Sequence, residues 1–326
     1  MTLGSLIAGC GGYLPEKVLR NDDLAAEYGI ETSDAWIVER TGIRQRHIAA
    51  KGETASSMGA AAARRALERA GLPAEAVDCV IVATSTPDSA FPATAVRIQA
   101  ALGCGPGFAF DLSAACTGFI YALGMADALL RTGQARCALV IGTETYSRIL
   151  DWTDRGTCVL FGDGAGAVVL TATEGQGRAA DRGILSTHLH SDGRYADILH
   201  IEGGAGSDGG TGLLRMAGRE VFRHAVGKLA AVVDEALAAH GLGHGDVRWL
   251  VPHQANLRII DAMGRKLGLP RERVVVTVDR HANTSAASIP LALADADGRG
   301  AIERGDLVLM EAIGGGLTWG AALVRF

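Results

Sequence analysis

The chain has 326 residues, of which 48% are hydrophobic and 21% charged, so it can bury a large core as one large or two medium domains. Its formal net charge of −5 argues against binding to nucleic acid, which needs a basic surplus. No apolar run approaches the roughly 18 residues of a membrane helix, and the first residues lack the basic start of a secretory signal. The six cysteines include no C-x-x-C pair. We therefore expect no nucleic-acid, membrane or metal partner and a cytoplasmic location.

In the first half of the chain, short β-branched runs alternate with alanine-rich helical segments. The pattern predicts helices at 54–72 and 93–103, a third helix that begins near Cys116, and strands at 77–86, 107–112 and 137–144. A strand after each helix is typical of buried, largely parallel strands that are covered by helices. We therefore expect an α/β fold.

The second half of the chain repeats this plan. It predicts helices at 220–242, 255–269 and 285–296 and strands at 247–252 and 273–278. Both halves end in a glycine turn, a buried strand, a glycine-rich segment and a final strand, which favours a duplicated unit. The stretch 174–215 mixes Gly, Asp and His with few apolar runs, so we predict a surface loop there. The predicted halves are 1–175 and 176–326.

Cys116 is a candidate nucleophile in the segment DLSAACTGFIYALG, residues 111–124. It follows a predicted strand and lies in the first turn of a predicted helix. There, free N–H groups and the positive end of the helix dipole stabilise a thiolate, and the same N–H groups could hold an oxyanion. The alternative, a buried cysteine with a packing role, stays open on this pattern alone.

His253 and Asn283 also follow predicted strands, in the segments VPHQAN and RHANTSAAS. We expect His253 to occupy the place in its half that Cys116 occupies in the first half. Asn283 precedes the next helix, where the alternative is a simple cap or turn residue. Polar groups at the carboxyl ends of strands gather at one edge of an α/β sheet, so we expect these three side chains to converge.

Further motifs follow one another along nearly the whole chain: DAWIVERTGIRQRHIA, AFPATA, DLSAACTGFIYAL, DRGTCVLFGDGAGAVVL, THLHSDG, VPHQANLRI, RHANTSAASIP and EAIGGGLTWGAALVRF. With these motifs the chain resembles the β-ketoacyl-[acyl carrier protein] synthase III family, the initiating condensing enzymes of bacterial type II fatty acid synthesis. The resemblance implies an α/β, thiolase-like fold in which duplicated βαβαβαββ halves form a layered α-β-α-β-α sandwich.

The resemblance also implies a reaction and its catalytic groups. Cys116 would accept the acyl group from an acyl-CoA starter, expected to be acetyl-CoA. His253, expected to be mainly neutral, and Asn283 would then assist malonyl-[acyl carrier protein] in a decarboxylative condensation, and the N–H groups of Cys116 and Gly315 would form the oxyanion hole. Coenzyme A is a substrate here, and no permanently bound cofactor is expected.

Other expected sites divide into three groups. The resemblance implies coenzyme A contacts for Trp36 and Arg155 about the adenine, with Arg40 and Thr41 nearby and Asn256 on the pantetheine. It also implies an acyl pocket formed by Phe91, Phe161, Met216 and Ile313, where Phe91 crosses a homodimer interface. Helical spacing of basic residues suggests docking sites for the acidic carrier protein at Arg215, Arg219 and Arg223 and at Arg258, Arg265 and Lys266.

Several other functions compete with this interpretation. A cysteine protease is disfavoured because SAACTGF lacks the residues expected around its nucleophile. A thiolase would need a second cysteine near the C-terminus, and the last cysteine here is Cys158. A scaffold that only binds carrier protein would be expected to lack one of the three catalytic residues. A related condensing enzyme or acyltransferase of polyketide or other secondary metabolism stays open, because it could retain all three.

Overall fold

The structure is a computed structural model that describes residues 3–174 and 180–326. The strands are β1 (Leu3–Tyr13), β2 (Lys17–Arg20), β3 (Gln45–Ile48), β4 (Cys79–Ala83), β5 (Phe108–Leu112), β6 (Cys137–Glu144), β7 (Gly164–Glu174), β8 (Gly183–Ser191), β9 (Leu199–Gly203), β10 (Thr211–Met216), β11 (Trp249–Pro252), β12 (Leu307–Gly314) and β13 (Thr318–Arg325). The helices are α1 (Asn21–Tyr28), α2 (Asp34–Thr41), α3 (Ala55–Ala70), α4 (Thr94–Leu102), α5 (Gly118–Arg131), α6 (Gly218–Ala238), α7 (Leu257–Lys266), α8 (Val278–His281) and α9 (Ser288–Gly298).

Two main sheets repeat the same strand order. The first runs β1-β7-β6-β4-β5, and the second runs β8-β13-β12-β11. Val274 extends the second sheet by one parallel bridge to Leu250, in the place that β5 has in the first sheet. The predicted duplicated fold is therefore confirmed.

The predicted largely parallel pairing is correct for only part of each sheet. β4 pairs in parallel with β5 and β6, and β11 pairs in parallel with β12. The pairs β1–β7, β6–β7, β12–β13 and β13–β8 are antiparallel. Only a short turn joins β12 to β13, and a parallel pair would need a long crossover connection.

Helices α5 and α9 lie between the two sheets. The apolar core there contains Ile81 of β4, Phe119 of α5, Leu293 of α9 and Val308 of β12, so both halves contribute to it. Helices α3 and α4 cover the outer face of the first sheet, and α6 covers that of the second, with α7 packed beside it. Strands β4, β6 and β12 are buried at every position, as expected for strands covered on both faces. No helix among the described residues is long and apolar enough to cross a membrane.

The predicted surface loop at 174–215 is wrong for the residues that the structure describes. β8 is an edge strand paired with β13, and β9 and β10 form a two-stranded sheet. One face of β8 carries the polar side chains of His188 and His190. Both bond to the Glu235 carboxylate on α6, at 2.9 and 2.7 Å. This polar face made the sequence resemble a loop. The predicted boundary between 175 and 176 falls on residues outside the described part and stays a prediction.

The predicted strand at 273–278 is also wrong. Val275 N–H donates to the Leu250 carbonyl at 2.9 Å, but pairing with β11 then stops. The N–H groups of Thr277 and Val278 donate instead to Oε1 of the buried Gln254, at 2.8 and 3.0 Å. The Gln254 side chain therefore accepts the hydrogen bonds that carbonyl groups of a neighbouring strand would otherwise accept, and the chain continues into α8.

Candidate active site

Cys116 lies in a short 3₁₀ turn, Ala115–Thr117, between β5 and α5. Ala115 has a φ of +46°, which turns the chain sharply at the end of the strand. Thr318 of β13 fixes the turn from the other half: its carbonyl accepts from the Thr117 hydroxyl, and its own hydroxyl donates to the Ala114 carbonyl, each at 3.0 Å. The turn that carries Cys116 is therefore held by both halves of the chain.

Gly314, at the end of β12, lies directly against this turn. A Cβ atom on Gly314 would be 2.6 Å from the backbone nitrogen of Cys116, closer than any ordinary contact. Only glycine allows β12 to approach so closely, and this approach brings the next residue, Gly315, to the wall of the same cavity as Cys116.

A second turn mirrors the first. The residues Ser285–Ala287 form a 3₁₀ turn ahead of α9, and Ser285 has a φ of +50°. Asn283 stands just before this turn, at the end of the segment that replaces the last strand of the second sheet. The expected equivalence of His253 and Cys116 is therefore wrong. His253 follows β11, the counterpart of β4, and the segment at Asn283 is the counterpart of the Cys116 turn.

Asn283 is fixed in one orientation. Its Oδ1 accepts the Ser285 N–H at 2.9 Å, its backbone N–H donates to the Leu160 carbonyl at 3.0 Å, and its carbonyl accepts from Gly162 N–H at 3.1 Å. Because Oδ1 is already bonded to a backbone donor, the side-chain NH₂ is the group left to donate to a ligand.

His253 is fixed by its neighbours on β12 and α9. Its backbone N–H donates to the Glu311 carbonyl at 2.8 Å, and its ring Nδ1 lies 2.6 Å from Oγ of Ser288. Nε2 is therefore the ring nitrogen available to a ligand. Burial lowers the pKa of His253 to about 3, so the ring is neutral at physiological pH, as expected.

Cys116, His253 and Asn283 line one cavity of about 220 Å³, which we call the triad cavity. Their exposed fractions are only 5%, 5% and 6%, so the cavity brings a ligand to groups that are otherwise closed off from water. Arg40 and Phe222, both exposed, stand where the cavity meets the surface. The structure thus brings together the three side chains that the sequence analysis selected.

The ionisation of Cys116 differs from the expected stabilised thiolate. Burial raises the pKa of the Cys116 thiol to about 12, against the opposing hydrogen bond from Ser285 and with a further rise from the nearby Glu144. Desolvation disfavours the thiolate more than the turn stabilises it. The two groups are therefore a neutral thiol and a neutral imidazole, so the Cys116 sulfur would have to lose its proton in order to act as a nucleophile.

Of the expected coenzyme A residues, Arg40, Thr41 and Asn256 line the triad cavity, whereas Trp36 and Arg155 do not line it and pack beside Arg40. The guanidinium carbons of Arg40 and Arg155 are each 4.5 Å from the centre of the Trp36 ring. Arg155 also donates to the Glu31 carbonyl at 2.6 Å. It therefore binds a backbone carbonyl instead of pairing with Asp151 or Asp154, the simplest alternative. An adenine between Trp36 and Arg155 would need two stacking distances of about 3.5 Å, so the guanidinium would have to move away from the ring.

Thr41 and Asn256 line the triad cavity but differ in what they can offer a ligand. The Thr41 hydroxyl is already bonded, to the Ile37 carbonyl at 2.7 Å and from Ile43 N–H at 3.0 Å. Asn256 caps α7 by accepting Ile259 N–H at 3.1 Å on Oδ1, which leaves its NH₂ group as a donor.

The expected acyl-pocket residues occupy three places. Phe161 lines both the triad cavity and a second cavity of about 380 Å³ on the other side of Cys116, which we call the aliphatic cavity. Met216 and Ile313 line only the triad cavity. Phe91 lines neither and is 85% exposed. The walls of the aliphatic cavity include Tyr146, Leu199, Ile201 and Leu214.

Five of the basic residues expected to dock a carrier protein are exposed on neighbouring helices. They are Arg219 and Arg223 on α6, and Arg258, Arg265 and Lys266 on α7. Arg215 does not belong to this set, because it lies on β10 and pairs with Asp151 and Glu202 at 3.1 and 2.9 Å. Its predicted place on one helical face with Arg219 is wrong, because α6 begins only at Gly218.

Comparison with known proteins identifies the family. Models of "3-Oxoacyl-[acyl-carrier-protein (ACP)] synthase III" and of its C-terminal part match residues 110–193 and 237–326. The chain is 67% identical over 322 residues to the beta-ketoacyl-[acyl-carrier-protein] synthase III of Acidiphilium cryptum, covering 99% of each chain. The chain belongs to the synthase III family.

Solved structures agree with this membership. The crystal structure of 3-oxoacyl-[acyl-carrier-protein] synthase III from Aquifex aeolicus is 48% identical, with a TM-score of 0.91 over 99% of this chain and 100% of that one. The priming beta-ketosynthase of the R1128 polyketide pathway is 39% identical, with a TM-score of 0.90 over 98% and 96%. The predicted thiolase-like fold and the predicted acyltransferase class are both confirmed for this synthase III chain.

Several site residues were not found from the sequence. Ser288 contacts the His253 ring, Gly314 shapes the Cys116 turn, and Gln254 fixes the backbone beside His253. All three lie within motifs that identify the synthase III family. However, a serine, a glycine or a glutamine in such a motif has no chemical signature until its distant partner is known.

Glu311 of β12 makes stability depend on pH. It is 1% exposed, its Oε2 has no hydrogen-bond partner, and burial raises the pKa of this carboxyl to about 8. The folded state therefore binds a proton that the unfolded state releases at lower pH, so stability present below the unfolded pKa is lost as pH rises through about 8.

We expect Glu311→Gln to remove this loss. Between pH 5 and 9 the wild type should lose about a few kcal/mol more unfolding free energy than the variant. Thermal unfolding of both proteins at matched pH values measures the difference, because every other titrating group is common to both. Parallel stability curves would contradict this role of Glu311.

Proposed function

We propose that this protein condenses an acyl-CoA starter, acetyl-CoA, with malonyl-[acyl carrier protein] to give 3-oxoacyl-[acyl carrier protein], coenzyme A and carbon dioxide, and so initiates type II fatty acid synthesis. The observation that carries the proposal is that Cys116, His253 and Asn283 come from separate segments of a synthase III family member and line one buried cavity. Steady formation of the 3-oxoacyl product from these two substrates is the expected result, and its absence would overturn the proposal.

In the first half-reaction, Cys116 Sγ attacks the thioester carbon of the acyl-CoA while His253 Nε2 accepts the thiol proton. The backbone N–H groups of Cys116 and Gly315, two residues that border the aliphatic cavity, receive the oxyanion. The tetrahedral intermediate then expels the sulfur of coenzyme A, which takes the proton from His253. The acyl group remains on Cys116.

In the second half-reaction, malonyl-[acyl carrier protein] loses carbon dioxide and its thioester becomes an enolate. His253 Nε2–H and the NH₂ group of Asn283 donate hydrogen bonds to the enolate oxygen. The enolate carbon attacks the acyl thioester on Cys116, and Cys116 leaves as a thiolate that takes up one proton from solvent. No charged base is needed, because decarboxylation generates the nucleophile, which agrees with a neutral His253.

The two cavities divide the substrate between them. The triad cavity runs inward from Arg40 and suits the pantetheine arm, with the NH₂ group of Asn256 as a donor to it. Trp36 offers its ring to the adenine once Arg155 moves. The aliphatic cavity also reaches Cys116. Its lining is mainly apolar, with side chains such as Leu199 and Leu214 beside a few polar ones such as Ser85 and His200, and it suits the acyl chain. Coenzyme A is then a substrate, and the reaction needs no resident cofactor.

A homodimer completes the acyl pocket in this proposal. Phe91 is 85% exposed, which is unusual for a phenylalanine outside an interface. An outer pocket of about 540 Å³ adjoins the aliphatic cavity, with which it shares Ser85 and Ile201. Phe91 of a second copy would close this opening and so favour a short starter. The cytoplasmic location stays a prediction from the sequence.

Arg258 is the proposed main docking contact for the acidic carrier protein. It is exposed on α7, two residues after Asn256, and donates to the Glu39 carbonyl at 3.2 Å. We expect Arg258→Glu to raise KM for malonyl-[acyl carrier protein] by about 10-fold at low salt, with less effect as salt rises. Steady-state kinetics with both substrates, at two salt concentrations, measure this.

Arg64→Glu is the matched control. Arg64 is an exposed helical arginine that likewise donates to a carbonyl, that of Ala101 at 2.9 Å, but it lies on α3 in the other outer layer. It should leave KM for the carrier protein unchanged. If Arg258→Glu changed KM for acyl-CoA as much as KM for the carrier protein, or if Arg64→Glu had the same effect, docking at Arg258 would be ruled out.

A synthase of secondary metabolism is the second candidate function. The 39% identity to a priming ketosynthase of a polyketide pathway favours keeping it, because such an enzyme would share the catalytic residues and differ in its starter. Competition between acyl-CoAs of increasing length separates the two. Preference for acetyl-CoA supports fatty acid initiation, and preference for a longer or aromatic starter supports the polyketide role.

A further inference from the structure

His253 has two different tasks in the proposed reaction. Its Nε2 must first carry a free lone pair to accept the Cys116 proton, and later the same Nε2 must carry a hydrogen to donate to the enolate oxygen. A neutral imidazole has one N–H, so these tasks need different tautomers. The group that faces Nδ1 decides which tautomers are stable.

Ser288 is that group. Its Oγ lies 2.6 Å from Nδ1 of His253 and 3.3 Å from the backbone nitrogen of Gln254, whose N–H donates to it. The exposed fraction of Ser288 is 2%, so these contacts are shielded from bulk water. A backbone carbonyl in this position could only accept from Nδ1–H, and an N–H could only donate to Nδ1. A hydroxyl can do either by rotating about its C–O bond.

The frame around Ser288 is rigid, so the rotation of the hydroxyl is the movable part. Ser288 is the first residue of α9, directly after the Ser285–Ala287 turn. Gln254 fixes the other side: its Nε2 donates to the carbonyls of Pro252 and Val275 at 2.8 and 3.1 Å, and its Oε1 accepts from Thr277 and Val278. Every polar group of the Gln254 side chain is satisfied. Because Gln254 follows His253 in the chain and its N–H donates to Ser288, it holds both residues in place.

We propose that Ser288 is a positioning residue whose hydroxyl supports both neutral tautomers of His253 and so allows one imidazole to act as acceptor in acyl transfer and as donor in condensation. In the first state, Nδ1–H donates to Ser288 Oγ and Nε2 is bare. In the second, the Ser288 O–H donates to Nδ1 and Nε2 carries the hydrogen. Between them, after coenzyme A has left, Nε2 takes one proton from solvent in the triad cavity, and Nδ1 passes its proton to the Ser288 hydroxyl, which gives up its own proton to solvent, with no net change in charge. This inference rests on the proposed function.

The direct test compares the tautomer of His253 in two states of the wild-type protein. Ring ¹⁵N resonances of histidine-labelled protein are recorded for the free enzyme and for the enzyme acetylated on Cys116, and His253→Ala identifies the signals. We expect a bare Nε2 in the free enzyme and a protonated Nε2 after acetylation. The same tautomer in both states would overturn the inference. Failure of acetyl-CoA to acetylate Cys116 would instead overturn the proposed function, and the inference with it.

The kinetic test uses Ser288→Ala. Loss of the hydroxyl should slow both acyl transfer, measured by release of coenzyme A, and decarboxylation of malonyl-[acyl carrier protein] by about 10- to 100-fold each. Ser5→Ala is the control, because Ser5 is a fully buried serine whose hydroxyl donates to Asp127 and neither residue lines the triad cavity or the aliphatic cavity, so its loss should slow neither step. Unchanged rates in Ser288→Ala, or slowing of one half-reaction alone, would contradict support for both tautomers. Ser288→Thr keeps a hydroxyl and should restore part of both rates.

Discussion

Cys116→Ala should abolish condensation, with a loss of at least about 10⁴-fold in kcat, while decarboxylation of malonyl-[acyl carrier protein] continues. The acyl group has no acceptor in this variant, so the first half-reaction cannot occur. The donors at His253 and Asn283 are fixed by contacts that do not involve the thiol, to Ser288 and Ser285 respectively. Separate assays of carbon dioxide release and 3-oxoacyl product measure the two steps.

His253→Ala should have the complementary effect, a loss of decarboxylation. It removes a donor to the enolate, so carbon dioxide release should fall even though Cys116 is intact. If Cys116→Ala kept full condensation, the Cys116 thiol would have only a packing role. If it abolished both steps although thermal unfolding was unchanged, the account of independent donors would be wrong.

Gly314→Ala should be the second most damaging change. The new Cβ would lie 2.6 Å from the Cys116 nitrogen and 3.1 Å from the Thr117 nitrogen, and both are backbone atoms of the Ala115–Thr117 turn. The turn must therefore shift, which moves the Cys116 N–H away from the oxyanion. Loss of one oxyanion donor lowers kcat by about 10²–10³-fold, and we expect a loss of this size in acyl transfer.

Gly227→Ala is the control for this substitution. Gly227 lies within α6, and a Cβ there meets no atom within 4 Å, so the variant should keep its activity and gain a little helix stability. Acyl-transfer rates and melting temperatures of both variants complete the comparison. A fully active Gly314→Ala would mean that the turn tolerates the shift, and the oxyanion geometry assigned to Cys116 and Gly315 would have to be abandoned.

The sequence predicted the central strands correctly. It was less successful for segments whose backbone N–H groups bond to a side chain instead of to a neighbouring strand. The predicted strand at 137–144 matches β6, because an apolar run between glycine and polar residues determines both of its ends. The segment 273–278 has an equally apolar pattern, yet Gln254 takes two of its N–H donors. That contact joins residues more than twenty positions apart, so local periodicity could not reveal it.

The sequence predicted which three side chains of the candidate site converge, and predicted their surroundings less well. Cys116, His253 and Asn283 have a distinctive chemistry and follow strand ends, so motif and position together select them. The sequence predicted a stabilised thiolate and not the effect of burial, which raises the pKa of Cys116 to about 12. The packing of Arg155 on Trp36 and the contact of Ser288 with His253 also depend on tertiary structure, since neither pair has a local spacing rule.

The most direct test of the account is the mass of the intact protein after brief incubation with acetyl-CoA, followed by mapping of the modified peptide. The account predicts a single acetyl group on the peptide that contains Cys116, removed by malonyl-[acyl carrier protein] as 3-oxoacyl product forms, and no adduct on Cys116→Ala. An unmodified wild type, or an acetyl group that persists in Cys116→Ala, would contradict the role of Cys116 as the acyl acceptor.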